Sequence, residues 1–216
     1  HHLDQLLELQ REMPLVLVDR KVEPLHSDLV GLDNPAAVRI AVEHLQQQGY
    51  RDLLLVSEKA DGTSSRLERQ ASFTAEIAAR PALTGAVLEL DDRLANHLHS
   101  FLAKPGPKAL FCANGVAALA CTHALKTLGC TLFDDVGLIA LDDLDWYPLV
   151  GNGITALAQP TDAIGASAFD CLLKRLRGDD APPRTLDFLP ELIVRGSTQS
   201  LVGAGLPAMA VCQAKP

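Results

Sequence analysis

The stretch "ALFCANGVAALACTHALKTLG", residues 109–129, contains the unit from which the rest of the chain can be read. Ala109 to Ala113 is a continuous apolar run of strand length, and Asn114 can cap a helix directly after it. The helix it starts continues to about Leu128, before Gly129 marks the end. A strand that feeds straight into a helix is half of a crossover unit, so the neighbouring strands should lie parallel. The same alternation extends outward. Short runs recur at "LVLVD" (15–19), "LLLVS" (53–57), "AVLEL" (86–90) and "VGLIAL" (136–141). Between them stand helices of regular period. In one, Asn34 is the expected N-cap, Pro35 stands in the first turn, Val38, Ala41, Val42 and Leu45 form a stripe, and Gly49 ends it. A second begins with the capping box Ser65-x-x-Glu68, and a third carries Leu94, Leu98, Phe101 and Leu102. The fold class is therefore α/β, with parallel sheets flanked by helices and strands expected to be buried on both faces. The helix after Asn114 is apolar over more than one stripe, with Ala117, Leu119, Ala120 and Leu125 spread around it.

Composition excludes several functions. The 216 residues are 48% hydrophobic, enough for a sizeable core. Acids outnumber bases 27 to 19, so no general cationic field is present to hold nucleic acid or an anionic membrane. No apolar run is long enough to span a bilayer, and "HHLDQLLELQREM" lacks the order of a signal peptide, so a cytoplasmic location is expected. Cys112, Cys121, Cys130, Cys171 and Cys212 form no CxxC and mostly sit in apolar surroundings, as expected of reduced core thiols. The end, "GAGLPAMAVCQAKP", is expected to be a poorly ordered tail.

In a parallel sheet the carboxyl ends of the strands open onto one edge, and ligands bind there. That edge should hold Asp142, Asp143, Asp145 and Trp146 after "VGLIAL", Asn114 after "ALFCA", and the Ser57–Arg69 segment after "LLLVS". Carboxylate, amide and guanidinium converging beside an aromatic face suit a polyhydroxylated ligand, since the first accepts from hydroxyls and the others donate. Asn and Asp after a strand are also common turn formers and N-caps, which leaves a purely structural reading open. Other chemistry finds little support. His97-x-His99 places its two imidazoles on different helix faces, so no metal site is expected. "VGNG" and "VGAG" are not GxGxxG, Asp143-x-Asp145 has no closing glutamate, and Ser57, Ser64 and Ser65 have no GxSxG elbow. No cofactor and no catalytic residues are expected.

"PLVLVDR", "GLDNPAAVRIAVEHLQQQGYRDLLLVS", "RLERQASF", "ALFCANGVAALA", "VGLIALDDLDW", "ITALAQP" and "LIVRGST" resemble, in order and spacing, the effector-binding domain of LacI/GalR-family transcriptional regulators, from about Pro14 to Thr198. The resemblance implies a type I periplasmic-binding-protein-like fold: two α/β lobes, three crossover segments and a ligand in the cleft between them. It makes Arg69, Asn114 and Asp142 effector contacts, Gln159 a contact at a crossover, and the loop of Trp146 a lip of the cleft. Three departures stand out: Asn114-Gly115 in place of Asn-Asp, Ser72 in place of glycine, and Asp91-Asp92-Arg93 where many relatives offer an aromatic. "LDWYPLVGNGITALAQPT" is similar to members that sense sugar acids such as gluconate or ketogluconate, and Arg69 with Arg93 would serve a carboxylate.

The resemblance also sets the expected domains. Residues 1–26 would be a remnant of the N-terminal lobe, 27–151 the complete C-terminal lobe, 152–198 a crossover with more of the first lobe, and 199–216 a tail. One complete lobe plus a remnant of the other should leave apolar faces uncovered and bind ligand weakly on its own. Operator DNA would be a partner only through a preceding helix-turn-helix domain, and a homodimer is expected through the helix beginning at Asn114. Two alternatives stay open: a solute-binding protein of a sugar transporter, and an α/β enzyme with Asp142 as its general acid or base.

Overall fold

The computed structural model describes residues 2–130 and 136–199. The expected tail and Cys212 lie outside them. In chain order the elements are α1 (His2–Glu12), β1 (Val16–Val18), β2 (Asp28–Leu32), α2 (Asn34–Gln47), β3 (Asp52–Ser57), α3 (Ser64–Ala78) and β4 (Thr84–Glu89). There follow α4 (Leu94–Leu102), β5 (Lys108–Cys112), α5 (Gly115–Thr127), β6 (Gly137–Leu141), β7 (Thr155–Ala158), α6 (Thr161–Leu176), β8 (Thr185–Phe188) and β9 (Glu191–Ile193). Short 3-10 turns occupy Tyr147–Leu149 and Gly196–Thr198.

The strands form two sheets, a larger one of order β4-β3-β5-β6-β7-β9 and a smaller one of order β1-β2-β8. All pairings are parallel except β7 with β9. The period of two along each central strand divides the larger core. Leu54, Val56, Leu110, Cys112, Leu138 and Ala140 face α4 and α5. Leu53, Leu55, Ala109, Phe111, Ile139 and Leu141 face α2 and α3. The apolar runs of β3, β5 and β6 are thus buried on both faces, as parallel packing requires. Two other runs do not meet that expectation. β4 is an edge strand with an exposed surface, and β1 is the partly exposed edge of the smaller sheet. An apolar run alone does not distinguish a central strand from an edge strand.

The predicted helices are present, but two caps differ. Asp33, not Asn34, caps α2, its Oδ1 accepting from the Ala36 N–H at 2.8 Å. Asn34 is buried and turned toward α3. The Ser65-x-x-Glu68 box does not form, because the N-cap is Thr63, two residues earlier, and Glu68 accepts from Asn34 instead. Both polar groups are drawn to the junction of the two sheets. α5 follows the expected plan, with Asn114 Oδ1 accepting from the Ala117 N–H at 2.9 Å and Gly129 taking a φ of 72°. Cys112, Cys121 and Cys171 are buried free thiols.

The sheets exchange strands at three places, since β2, β7 and β8 each hand the chain to an element on the other side. β2 hydrogen-bonds with β1 and β8, whereas β7 and β9 join the larger sheet. Strand membership therefore changes at about residues 33, 159 and 190, not at the boundaries 27 and 151 expected from sequence. α6 packs on β1 and β2 around Val30, Ile164 and Cys171. Val18 and Phe169 of this smaller lobe remain exposed.

The last described segment is held by a buried polar network. His44 Nε2 lies 2.8 Å from Thr198 Oγ1, which lies 2.7 Å from Thr155 Oγ1. Burial pushes the His44 pKa below its usual value. The unfolded chain then takes up the proton more readily, so stability is lost as pH falls from about 6.5 toward the folded value. The urea midpoint should fall between about pH 7.5 and about pH 5.5, and His44→Gln should remove part of that fall. An equal slope in both proteins would contradict the assignment.

Candidate functional site

Between the two sheets lies a cavity of about 210 Å³ beside β2, and next to it one of about 270 Å³ whose walls are polar. Asp19, Arg20, Thr63, Ser65, Arg66, Arg69, Asn114, Asp142 and Gln159 line the second. Each comes from a strand's carboxyl end or the helix after it: Asp19 and Arg20 follow β1, Asn114 follows β5, Asp142 follows β6 and Gln159 follows β7. Thr63 to Arg69 lie at the start of α3. The parallel order brings the carboxyl ends of neighbouring strands to the same edge, where these residues can meet.

Four of the six residues singled out from sequence meet there: Arg69, Asn114, Asp142 and Gln159. Arg69 is the centrepiece, only 6% exposed. Its Nε donates to Asn34 Oδ1 at 2.7 Å, Nη1 donates to the Ala113 carbonyl at 3.1 Å, and Nη2 lies 3.7 Å from Asp19 Oδ1. Burial pushes its pKa below the usual value, and the charges of Asp19 and Asp142 oppose that. The guanidinium thus spans both sheets with hydrogen-bonding capacity left over, since it has five donors. Gln159 Nε2 donates to Asp142 Oδ1 at 2.6 Å, and Asn114 Nδ2 donates to Glu58 Oε2 at 2.6 Å. Asp19 and Asp142 face the cavity from opposite sheets in left-handed backbone, with φ of 71° and 68°. Such conformations cost on the order of 1–3 kcal/mol for a non-glycine residue and concentrate at ligand sites.

The other two residues stand apart from the cavity. Arg93 is exposed on the loop before α4, its Nε 3.6 Å from Asp91 Oδ2. Trp146 is half-buried, packed edge-on to Tyr147 with centroids 4.6 Å apart. The acid-rich loop has a structural use. Asp143 takes both terminal nitrogens of Arg195, at 2.7 and 2.9 Å, and so ties the loop to the segment after β9. Sequence reasoning missed Asp19 and Arg20, although the strand-end rule applied to "LVLVD" finds them. A groove of about 510 Å³ lies between β4 and α4 beside Val87, Leu88 and Phe101. Its charged lining residues Asp52 and Lys104 are paired with each other at 3.6 Å. No group of three or more His, Cys, Asp or Glu suited to a metal ion occurs among the described residues, and no helix among them is long and apolar enough to cross a membrane.

Comparison with known proteins agrees with this geometry. A model of the periplasmic binding protein-like domain matches residues 42–198. The HTH-type transcriptional regulator PtxS of Pseudomonas aeruginosa is 60% identical over 200 residues, covering 92% of this chain and 59% of the relative. The HTH-type transcriptional regulator KdgR of Bacillus subtilis is 33% identical over 197 residues, covering 87% of this chain and 58% of the relative. The chain therefore spans somewhat over half the length of these relatives. Among solved structures, a LacI transcriptional regulator from a Rhodococcus species superposes with a TM-score of 0.76 at 23% identity, covering 92% of this chain and 74% of that one. A LacI family transcriptional regulator from Enterococcus faecium with bound ribose superposes at 0.72 and 19% identity, covering 89% and 73%. At these identities the superpositions speak for the fold.

Proposed function

The chain belongs to the periplasmic binding protein-like domain family, alongside LacI-type transcriptional regulators, and from that premise we propose that it is the effector-sensing part of such a regulator. The observation that carries this reading is a buried Arg69 reaching residues of both sheets beside Asn114, Asp142 and Gln159. A ligand held there touches both lobes and biases how they sit against each other, which is how a sensor transmits occupancy. Operator DNA would be read by a separate helix-turn-helix domain, as the names of the relatives suggest. The reaction class is binding, not turnover, and the site of action is the cytoplasm.

The ligand is a small sugar acid such as gluconate or ketogluconate. The cavity, about 270 Å³, falls just below the usual range of ligand pockets, about 300–1,000 Å³, as suits a small ligand, and its lining mixes guanidinium, amide and carboxylate groups. Chemical-shift titration with gluconate and ketogluconate tests this and reads weak affinities as well as strong ones. Saturable shifts confined to the cavity are expected, and no shifts with either acid would contradict the reading.

A homodimer completes the mechanism, since two sensor units paired by a two-fold axis set the spacing of two DNA-reading heads. α5 supports it: Ala117 and Leu125 are buried in the domain, while Val116 and Leu119 are 57% and 58% exposed. Leu144 and Leu149, on the loop after β6, are also exposed. Leu119→Glu should weaken association about thirtyfold or more without unfolding the chain, in keeping with a hot-spot loss of about 2 kcal/mol. Sedimentation equilibrium checks this, and an unmodified protein that is monomeric at micromolar concentration would refute it.

A further inference from the structure

Glu58, which follows β3, holds two of the groups that line the cavity without lining it itself. Its Oε2 accepts from Asn114 Nδ2 at 2.6 Å and from Arg66 Nη2 at 2.8 Å, while Arg66 Nη1 donates to the Lys59 carbonyl at 2.8 Å. A guanidinium and an amide N–H converging on one carboxylate oxygen form a receptor for a carboxylate. That receptor opens on the cavity through Arg66 and Asn114. Three guanidinium groups line the cavity, against the two carboxylates of Asp19 and Asp142. Arg20, one of the three, has no ion pair among the described residues.

We infer that Glu58 is a resident stand-in for the ligand's carboxylate, and that Arg66 is the residue that selects an acid over a neutral sugar. The inference rests on the sensing reading above and deepens it. An arriving carboxylate takes Arg66 from Glu58, whose side chain is 31% exposed and has room to turn to water. Asn114 Nδ2 is released in the same exchange and becomes a donor for a ligand hydroxyl. A neutral polyol has no charge with which to compete, so Glu58 stays in place. The exchange makes Glu58 a brake on acid binding, through repulsion of a second negative charge and competition for the same donors.

The test is chemical-shift titration of the full chain and of its Arg66→Gln and Glu58→Gln variants. The ligands form two matched pairs, gluconate with sorbitol and 2-ketogluconate with fructose, each neutral member carrying a hydroxymethyl group where the acid has its carboxylate. The unmodified protein should prefer the acid of at least one pair. Arg66→Gln should weaken acid binding roughly tenfold and leave the neutral ligand within about twofold. Glu58→Gln, which keeps the shape and an acceptor oxygen, should strengthen acid binding a few-fold and leave the neutral ligand unchanged. Failure to prefer the acid in either pair, or an Arg66→Gln protein that keeps the unmodified protein's preference for the acid, overturns the inference while leaving the sensing reading intact. If the unmodified protein binds none of the four, the sensing reading falls and the inference with it.

Discussion

Replacing Asp28 by alanine should lower the stability of the chain by about 3–5 kcal/mol, because it strips a buried ion pair of one partner and leaves the other charge uncompensated. Asp28 is the first residue of β2, and its side chain is fully buried. Arg175 near the end of α6 donates to it through Nε at 2.9 Å and Nη2 at 2.8 Å, and the Arg184 N–H just before β8 donates at 2.8 Å. The carboxylate therefore ties a strand, a helix and the start of the next strand together. The hydrogen bonds from Arg175 hold the Asp28 pKa below its usual value. This contribution is present above the normal carboxylate range and is lost as pH falls through the folded pKa. Urea denaturation measures the loss. A change below about 1 kcal/mol would show that the smaller lobe does not depend on this carboxylate.

The second large effect concerns ligand binding. Arg69→Met preserves the packing of the stem but removes charged donors from a buried site, so affinity for the sugar acid should fall by about 1.5–3 kcal/mol, roughly tenfold to 150-fold. Asp142→Asn is expected to cost less, because asparagine tolerates the left-handed backbone that Asp142 adopts and can still meet Gln159. Titration of both variants checks the order. Unchanged affinity in Arg69→Met would remove the residue on which the site is centred.

What was legible in the sequence follows from what is local. The runs "LLLVS", "ALFCA" and "VGLIAL" and the helices between them depend on neighbours in the chain, and they appear as β3, β5 and β6 with α3, α4 and α5. The strand-end rule then placed Asn114 and Asp142 correctly at the edge, because a parallel sheet leaves no other place for them. β2 was not legible. "DLVGL" has only three apolar side chains, a glycine that brings β2 close to the backbone of Asp19, and a charged first residue whose burial depends on Arg175, 147 positions away. The same distance dependence explains the caps. Asn34 looks like an N-cap until Arg69 and Glu68 are brought to it by the packing of α2 on α3.

Arg93 and Trp146 illustrate a different limit. Both stand at strand carboxyl ends, as the rule requires, yet a six-stranded sheet is wider than one ligand. Arg93 follows β4 at the edge of the sheet and finds Asp91, while Arg66, on the helix after β3, is the cation that reaches the cavity beside Arg69. Trp146 is turned into the core by the Tyr147–Leu149 turn, where Tyr147 is fully buried and its hydroxyl donates to the Leu141 carbonyl at 3.2 Å. The acidic residues around the tryptophan serve different neighbours: Asp142 meets Gln159 at the cavity and Asp143 clamps Arg195.

A crystal structure of the protein grown with 2-ketogluconate tests the central claim most directly. The ligand should lie between the two sheets, with its polar atoms within hydrogen-bonding distance of Arg69, Asn114 and Asp142 and its carboxylate on Arg66. A ligand seated instead in the larger groove between β4 and α4, beside Val87 and Phe101, would contradict that claim.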